Sequence, residues 1–234
     1  MPLNCDTKTA GEISSLILSE SGNHQPAAQS SGMKIAEIFT SLQGEGLTSG
    51  YPTTFIRLAG CNLSCSYCDT PASRKGGTDV NVSEIARGAL LQKPHYVCIT
   101  GGEPLLQKDE VAELSRQLIK AGKKVSIETN GTIPFDGLPN DISICMDVKC
   151  PSSGEFSNLN LLSDLKSTDS VKFVVGTDDD LQYAEKVIMS HPTKAELFIS
   201  PIYGTDYQRI ASYILSRNLP ARMQLQLHKF IGLP

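Results

Sequence analysis

From Met33 onward, short and nearly continuous apolar runs alternate with amphipathic stretches. Thr53–Leu58 (TTFIRL) is rich in β-branched and aromatic residues and stops at Ala59-Gly60. His95–Thr100 (HYVCIT), Lys124–Glu128, Ile142–Val148, Val171–Val175 and Glu196–Ser200 repeat that texture, and Met223–His228 predicts a last strand. Between the runs, Ser83 can cap a helix over Glu84–Leu91 through its hydroxyl. Val111, Leu114 and Leu118 share one face of a helix from Lys108 to Ala121, with Gly122 as its stop. A short helix is expected near Leu159–Lys166 and another at Tyr207–Arg217. Thr177–Asp180 (TDDD) opens a further helix, its acids suited to a positive N-terminus. Strands alternating with helices predict βα units and a parallel sheet. About six such strands make an α/β fold that closes only part of a barrel, an open βα barrel short of the full ring of eight.

Residues 1–32 read differently. Their SESGNHQPAAQSSG stretch has almost nothing to bury, so its ordering entropy goes uncompensated. The expectation is a mobile extension without a catalytic role, with at most a short helix over Ile13–Leu18, followed by one domain over 33–234. The 40% apolar content suits a globular core. A formal charge of −4 lacks the basic excess of a chain that grips nucleic acid. No apolar run approaches the roughly 18 residues of a membrane span. The start lacks the layout of a secretory signal, and seven cysteines are an odd count for a disulfide framework. A reducing cytoplasm is therefore expected, where clustered cysteines point to metal or redox chemistry.

The candidate chemistry follows the strand ends, where βα folds place their sites. Cys61, Cys65 and Cys68 form a C-x3-C-x2-C run after Thr53–Leu58. Three thiolates can hold three irons of a cubane cluster and leave the fourth without a cysteine. A structural zinc site wants four closed ligands, and no fourth Cys or His lies at suitable spacing. The bare position suits a small molecule. Thr100-Gly101-Gly102-Glu103-Pro104 follows the second run: its glycines permit close backbone approach, and Glu103 can accept from an ammonium. Glu128-Thr129-Asn130-Gly131 ends the third run with polar groups able to reach a ribose or a substrate.

The cysteine spacing, with Tyr67 before the third cysteine, resembles the radical S-adenosylmethionine (SAM) enzymes. That resemblance implies a [4Fe-4S] cluster whose fourth iron is chelated by SAM. It also implies cleavage to a 5′-deoxyadenosyl radical that removes a substrate hydrogen, so no side chain need be the principal acid or base. Gly101, Gly102 and Glu103 would then meet the amino group of SAM.

A finer resemblance covers 33–234. Ile35–Gly46 (IAEIFTSLQGEG), Arg57-Leu-Ala-Gly-Cys61, Cys68-Asp69-Thr70 and the ending His228-Lys-Phe-Ile-Gly-Leu-Pro234 are similar to the 7-carboxy-7-deazaguanine synthases. This implies 6-carboxy-5,6,7,8-tetrahydropterin as substrate, ring contraction with loss of ammonia, and a place in making 7-deazapurines such as queuosine. It implies Mg2+ at Thr70, an oxygen donor suited to that ion. Pterin contacts fall on Leu42, Gln43, Gly44, Arg57, Thr100, His228 and the Pro234 carboxylate. SAM contacts fall on Tyr67, Glu128, Asn130, Asp147, Val148, Lys149, Ser200, Pro201, Ile202 and Tyr203. One departure stands out: Asp147-Val148 precedes Lys149 where many members read Ser-Pro. An electron donor such as flavodoxin or ferredoxin and a homodimer are also implied. The rivals are a glycyl-radical activating enzyme, which needs no pterin pocket, and a non-catalytic iron–sulfur or zinc module.

Overall fold

The computed structural model describes residues 8–9 and 32–234. Ten strands form one sheet: β1 (Lys8–Thr9), β2 (Gly32–Leu42), β3 (Pro52–Leu58), β4 (Thr78–Asn81), β5 (Tyr96–Gly101), β6 (Lys124–Thr129), β7 (Ser143–Val148), β8 (Ser170–Val175), β9 (Glu196–Pro201) and β10 (Arg222–Met223). Their order is β1-β2-β3-β5-β6-β7-β8-β9-β10, with β4 paired to β2. From β3 to β10 every pairing is parallel, while β2 joins β3 antiparallel as a hairpin. The first and last strands in this order do not pair, so the barrel stays open. The short helix expected over Ile13–Leu18 lies outside the described residues.

The helices are α1 (Val82–Leu90), α2 (Lys108–Lys120), α3 (Asp178–Ser190), α4 (Tyr207–Arg217) and α5 (Leu227–Ile231). Asn81, two residues before the expected Ser83, caps α1 by accepting from the Ser83 N–H. Thr177 and Asp180 form a reciprocal capping box on α3. Two expectations need correction. Leu159–Asp164 winds as a 3-10 turn, and the last strand stops at Met223, so His228 belongs to α5. Here the chain leaves the sheet because Leu227 N–H and Gln224 bind the turn of the β2–β3 hairpin instead.

The sheet sorts its residues with period two. Ile56 and Leu58, Val97 and Ile99, Val125 and Ile127, Ile144 and Met146, and Val171 and Phe173 enter one core with Ile85, Leu114, Leu118 and Leu181 of the helices. Burying each such side chain is worth ~1.5–3 kcal/mol. The alternate residues face the opposite side. Near the base they make a small apolar cluster of Phe39, Phe55 and Cys98. Toward the strand C-termini they turn polar: Arg57, Thr100, Glu128, Asp147 and Lys172. That polar rim is where the cavity lies.

Candidate active site

One cavity of about 410 Å³ opens over these strand ends. Cys61, Cys65 and Cys68 all line it, on the loop that follows β3. All three are free thiols, half-buried. Backbone contacts hold the loop: Ser66 N–H donates to Ser153 O at 3.0 Å, Ser66 Oγ to Ser152 O at 2.6 Å, and Arg74 to Cys65 O at 2.7 Å. Burial pushes the Cys65 thiol up, and Lys149 pulls it back. Among the described residues no three His, Cys, Asp or Glu close around a single metal ion. Three thiols that each take a separate iron face a different requirement, and the donor set fits a cubane cluster.

The glycine turn after β5 answers first to the chain itself. A Cβ on Gly101 would lie 2.1 Å from Leu58 O, and one on Gly102 would lie 2.0 Å from Gly60 O. Gly101 also has φ +135, which favours glycine. Gly102 and Glu103 N–H donate to Leu58 O and Gly60 O, at 3.1 and 2.8 Å. The glycines thus bring the ends of β3 and β5 together beneath the cysteine loop. Glu103 is fully buried and does not line the cavity. Its carboxylate accepts from Leu105 N–H, Thr129 Oγ1 and Asn130 N–H. Burial pushes its pKa up, against those donors.

Leu42, Gln43, Gly44, Arg57, Thr100, Gly101, Gly102, Glu128, Asn130, Asp147 and Lys149 line the cavity with Tyr67, Thr70, Ile202, His228 and Pro234. Val148, Ser200 and Pro201 are buried off it, and Tyr203 faces outward beside Phe230. Arg57 donates from Nε to Glu37 at 2.6 Å and stacks on Phe39, which leaves its other N–H groups for a ligand. Glu128 accepts from Gln43 Nε2 and Thr100 Oγ1, and burial pushes it up. His228 fills the space beside Gly44, where a Cβ would lie 1.9 Å from Nδ1. Burial lowers His228, against the pull of Glu45.

Several lining residues escaped sequence reasoning: Glu45, Lys172, Gln226, Asp69 and Lys229. Lys172 pairs with Glu45 and, at 3.1 Å, with Asp147; Asp147 also pairs with Lys149 at 3.1 Å. Burial alone would raise Asp147, but the two lysines hold it low. The signal was a charged residue inside an apolar strand, as in SVKFVV. A buried lysine needs a partner.

Residues 55–144 match the radical SAM superfamily. The chain is 92% identical over 234 residues to a 7-carboxy-7-deazaguanine synthase of Methanospirillum hungatei, covering all of both chains. It is 38% identical over 221 residues to that of Koribacter versatilis (86% of this chain, 98% of the other), and 37% identical to that of Thermoplasma acidophilum (85% and 97%). The fold is similar to the crystal structure of QueE from Escherichia coli, with TM-score 0.71 and 24% identity over 84% of this chain and 95% of that one. A thiol-lined cavity at the open end of a parallel barrel, carried by a sequence so close to these relatives, places the chain in the family of 7-carboxy-7-deazaguanine synthases, radical SAM enzymes that use a [4Fe-4S] cluster and SAM.

Proposed function

We propose that this chain converts 6-carboxy-5,6,7,8-tetrahydropterin to 7-carboxy-7-deazaguanine with loss of ammonia, for 7-deazapurine synthesis. One observation carries the reading: the three thiols share a single cavity with Arg57, Gln43, His228 and the chain terminus at Pro234. A module that only stores a cluster has no need of that second, polar half. When bound, the cluster and SAM supply the one-electron chemistry that starts the reaction. The protein's part is to bind, orient and exclude water.

Arg57, already anchored by Glu37 and Phe39, holds the substrate carboxylate through its remaining N–H groups. Gln43 and Thr100 are fixed by Glu128 and so present one orientation to the ring. Pro234, on the cavity wall, faces the guanidine-like edge of the pterin. Asn130, Asp147, Lys149 and Ile202 face SAM. Glu103 acts from behind, setting the N–H of Asn130.

Thr70, on the cavity wall beside Asp69, offers oxygen chemistry suited to Mg2+ with a substrate carboxylate. A flavodoxin or ferredoxin supplies electrons, the enzyme works as a homodimer in the cytoplasm, and 1–32 takes no part in catalysis. Lys8–Thr9 nonetheless pairs with β2 and Gly32 begins it, so the extension expected there is not wholly separate from the sheet. No helix among the described residues is long and apolar enough to cross a membrane. The test is anaerobic turnover of reconstituted protein with SAM, Mg2+, dithionite and the pterin, read by product mass. Appearance of the deazaguanine acid is the expected outcome, and SAM cleavage without it would overturn the substrate.

A further inference from the structure

The cavity has two ends, and the buried side chain of Lys172 reaches groups at both. Asp147 on β7 and Lys149 just past its end face one end. At the other end lie the turn of the β2–β3 hairpin, with Gln43, Gly44 and Glu45, and the chain's last residues from Gln224 onward. Lys172 stands on β8 opposite Asp147 in the parallel register. Its Nζ reaches Asp147 Oδ1 at 3.1 Å and Glu45 Oε2. The other oxygen of Glu45 accepts from Gln226 Nε2 at 2.6 Å. Leu227 N–H donates to Gly44 O at 3.1 Å, and His228 packs on Gly44. One chain of contacts therefore runs from β7 through Lys172 and the hairpin turn to the C-terminal helix.

The two carboxylates are not equally provided for. Asp147 keeps a second lysine, Lys149, on its Oδ2. Among the described residues Glu45 has no second lysine or arginine partner, only the amide of Gln226. Lys172 is itself buried, with a side chain 7% exposed, and a lysine there persists only because its partners compensate for lost hydration. Without it, Glu45 and Asp147 would face each other as like charges, and the element free to move is the hairpin turn, not the central strand.

We infer that Lys172 is a positioning residue for the pterin end of the site, drawing the hairpin turn and the C-terminal segment against β7 at the spacing the substrate requires. The inference rests on the pterin reading for its ligand, but not for its structural claim. It differs from a general stabilising role in being one-sided: the SAM end keeps Lys149.

The test compares wild type, Lys172→Met, Lys172→Arg and the double variant Glu45→Gln/Lys172→Met. The double variant removes both charges, so it folds where the single one leaves a buried carboxylate uncompensated. In anaerobically reconstituted protein, the double variant should bind the tetrahydropterin at least about tenfold more weakly, while its SAM affinity stays within about threefold. Lys172→Arg should recover part of the loss. Amide hydrogen exchange without ligand should quicken in 43–46 and 224–228, with β7 unchanged. Equal loss of both affinities, or unchanged exchange in those segments, would overturn the inference. If wild type binds no pterin, the substrate reading falls, and the exchange result still decides what Lys172 does.

Discussion

The two walls of the cavity are built on different principles. The cysteine wall is held by backbone: glycines that admit the carbonyls of Leu58 and Gly60, and a loop tied by main-chain oxygens of Ser152, Ser153 and Cys65. The opposite wall is held by buried charge: Asp147, Lys149 and Lys172 on and beside two neighbouring strands, and Glu45 on the distant hairpin turn. A backbone-built wall is rigid without ligand. A charge-built wall depends on every member being present, because an unpartnered buried ion is costly. This division matches a site where a cluster must sit in one place while a substrate enters and leaves.

The sharpest break should come at the cysteine wall. Replacing Cys61, Cys65 or Cys68 by Ala should abolish cluster retention, read as loss of bound iron and of the brown absorbance after reconstitution. The fold should persist, since none of the three belongs to the core. Next, removing Pro234 should lower pterin turnover by roughly a hundredfold, about 2.7 kcal/mol in the barrier. SAM cleavage without pterin should be unchanged, and equal loss of both would remove the terminus from the substrate's side.

Gly102→Ala should act on the backbone wall as a matter of fold. Its Cβ would meet Gly60 O at 2.0 Å, a backbone atom that cannot swing away. The expected cost is about 2–3 kcal/mol in urea unfolding. SAM affinity should fall with it.

The smallest effect isolates a buried carboxylate away from the cavity. Asp180 accepts from Ser152, Gly176 and Thr177 N–H groups. Burial raises its pKa, but these donors outweigh it and hold the group below the ordinary carboxylate value. A depressed folded pKa adds stability above the unfolded value and loses it as pH falls through the folded one. Asp180→Asn should thus cost about 1 kcal/mol at neutral pH, a difference that shrinks on acidification.

The same contrast explains what could be read in advance. The cysteine wall is local: C-x3-C-x2-C and GGEP are contiguous, so their spacing carries the chemistry. Strands β3 and β5 to β9 showed as apolar runs and Tyr207–Arg217 as helical periodicity, whereas the short, polar β4 (TDVN) did not show. The charge wall is assembled only in three dimensions. Glu45 and Lys172 are 127 residues apart, and nothing local marks either as the other's partner. Lys172 did leave a trace, a cation inside SVKFVV, and Glu45 none. Met223–His228 misled because its alternating apolar residues suit a strand, whereas the hairpin turn takes up the backbone hydrogen bonds. The GGEP motif offered Glu103 as an acceptor, but its sequence carries no sign that the carboxylate is buried on Leu105, Thr129 and Asn130.

The central claim is that the three-thiol loop leaves one iron open, inside the cavity, for SAM. It is tested most directly by the electron paramagnetic resonance spectrum of the reduced, reconstituted cluster before and after SAM is added. The account predicts a changed spectrum that saturates at one SAM per cluster. An unaltered spectrum under saturating SAM, with all four irons present, would contradict it.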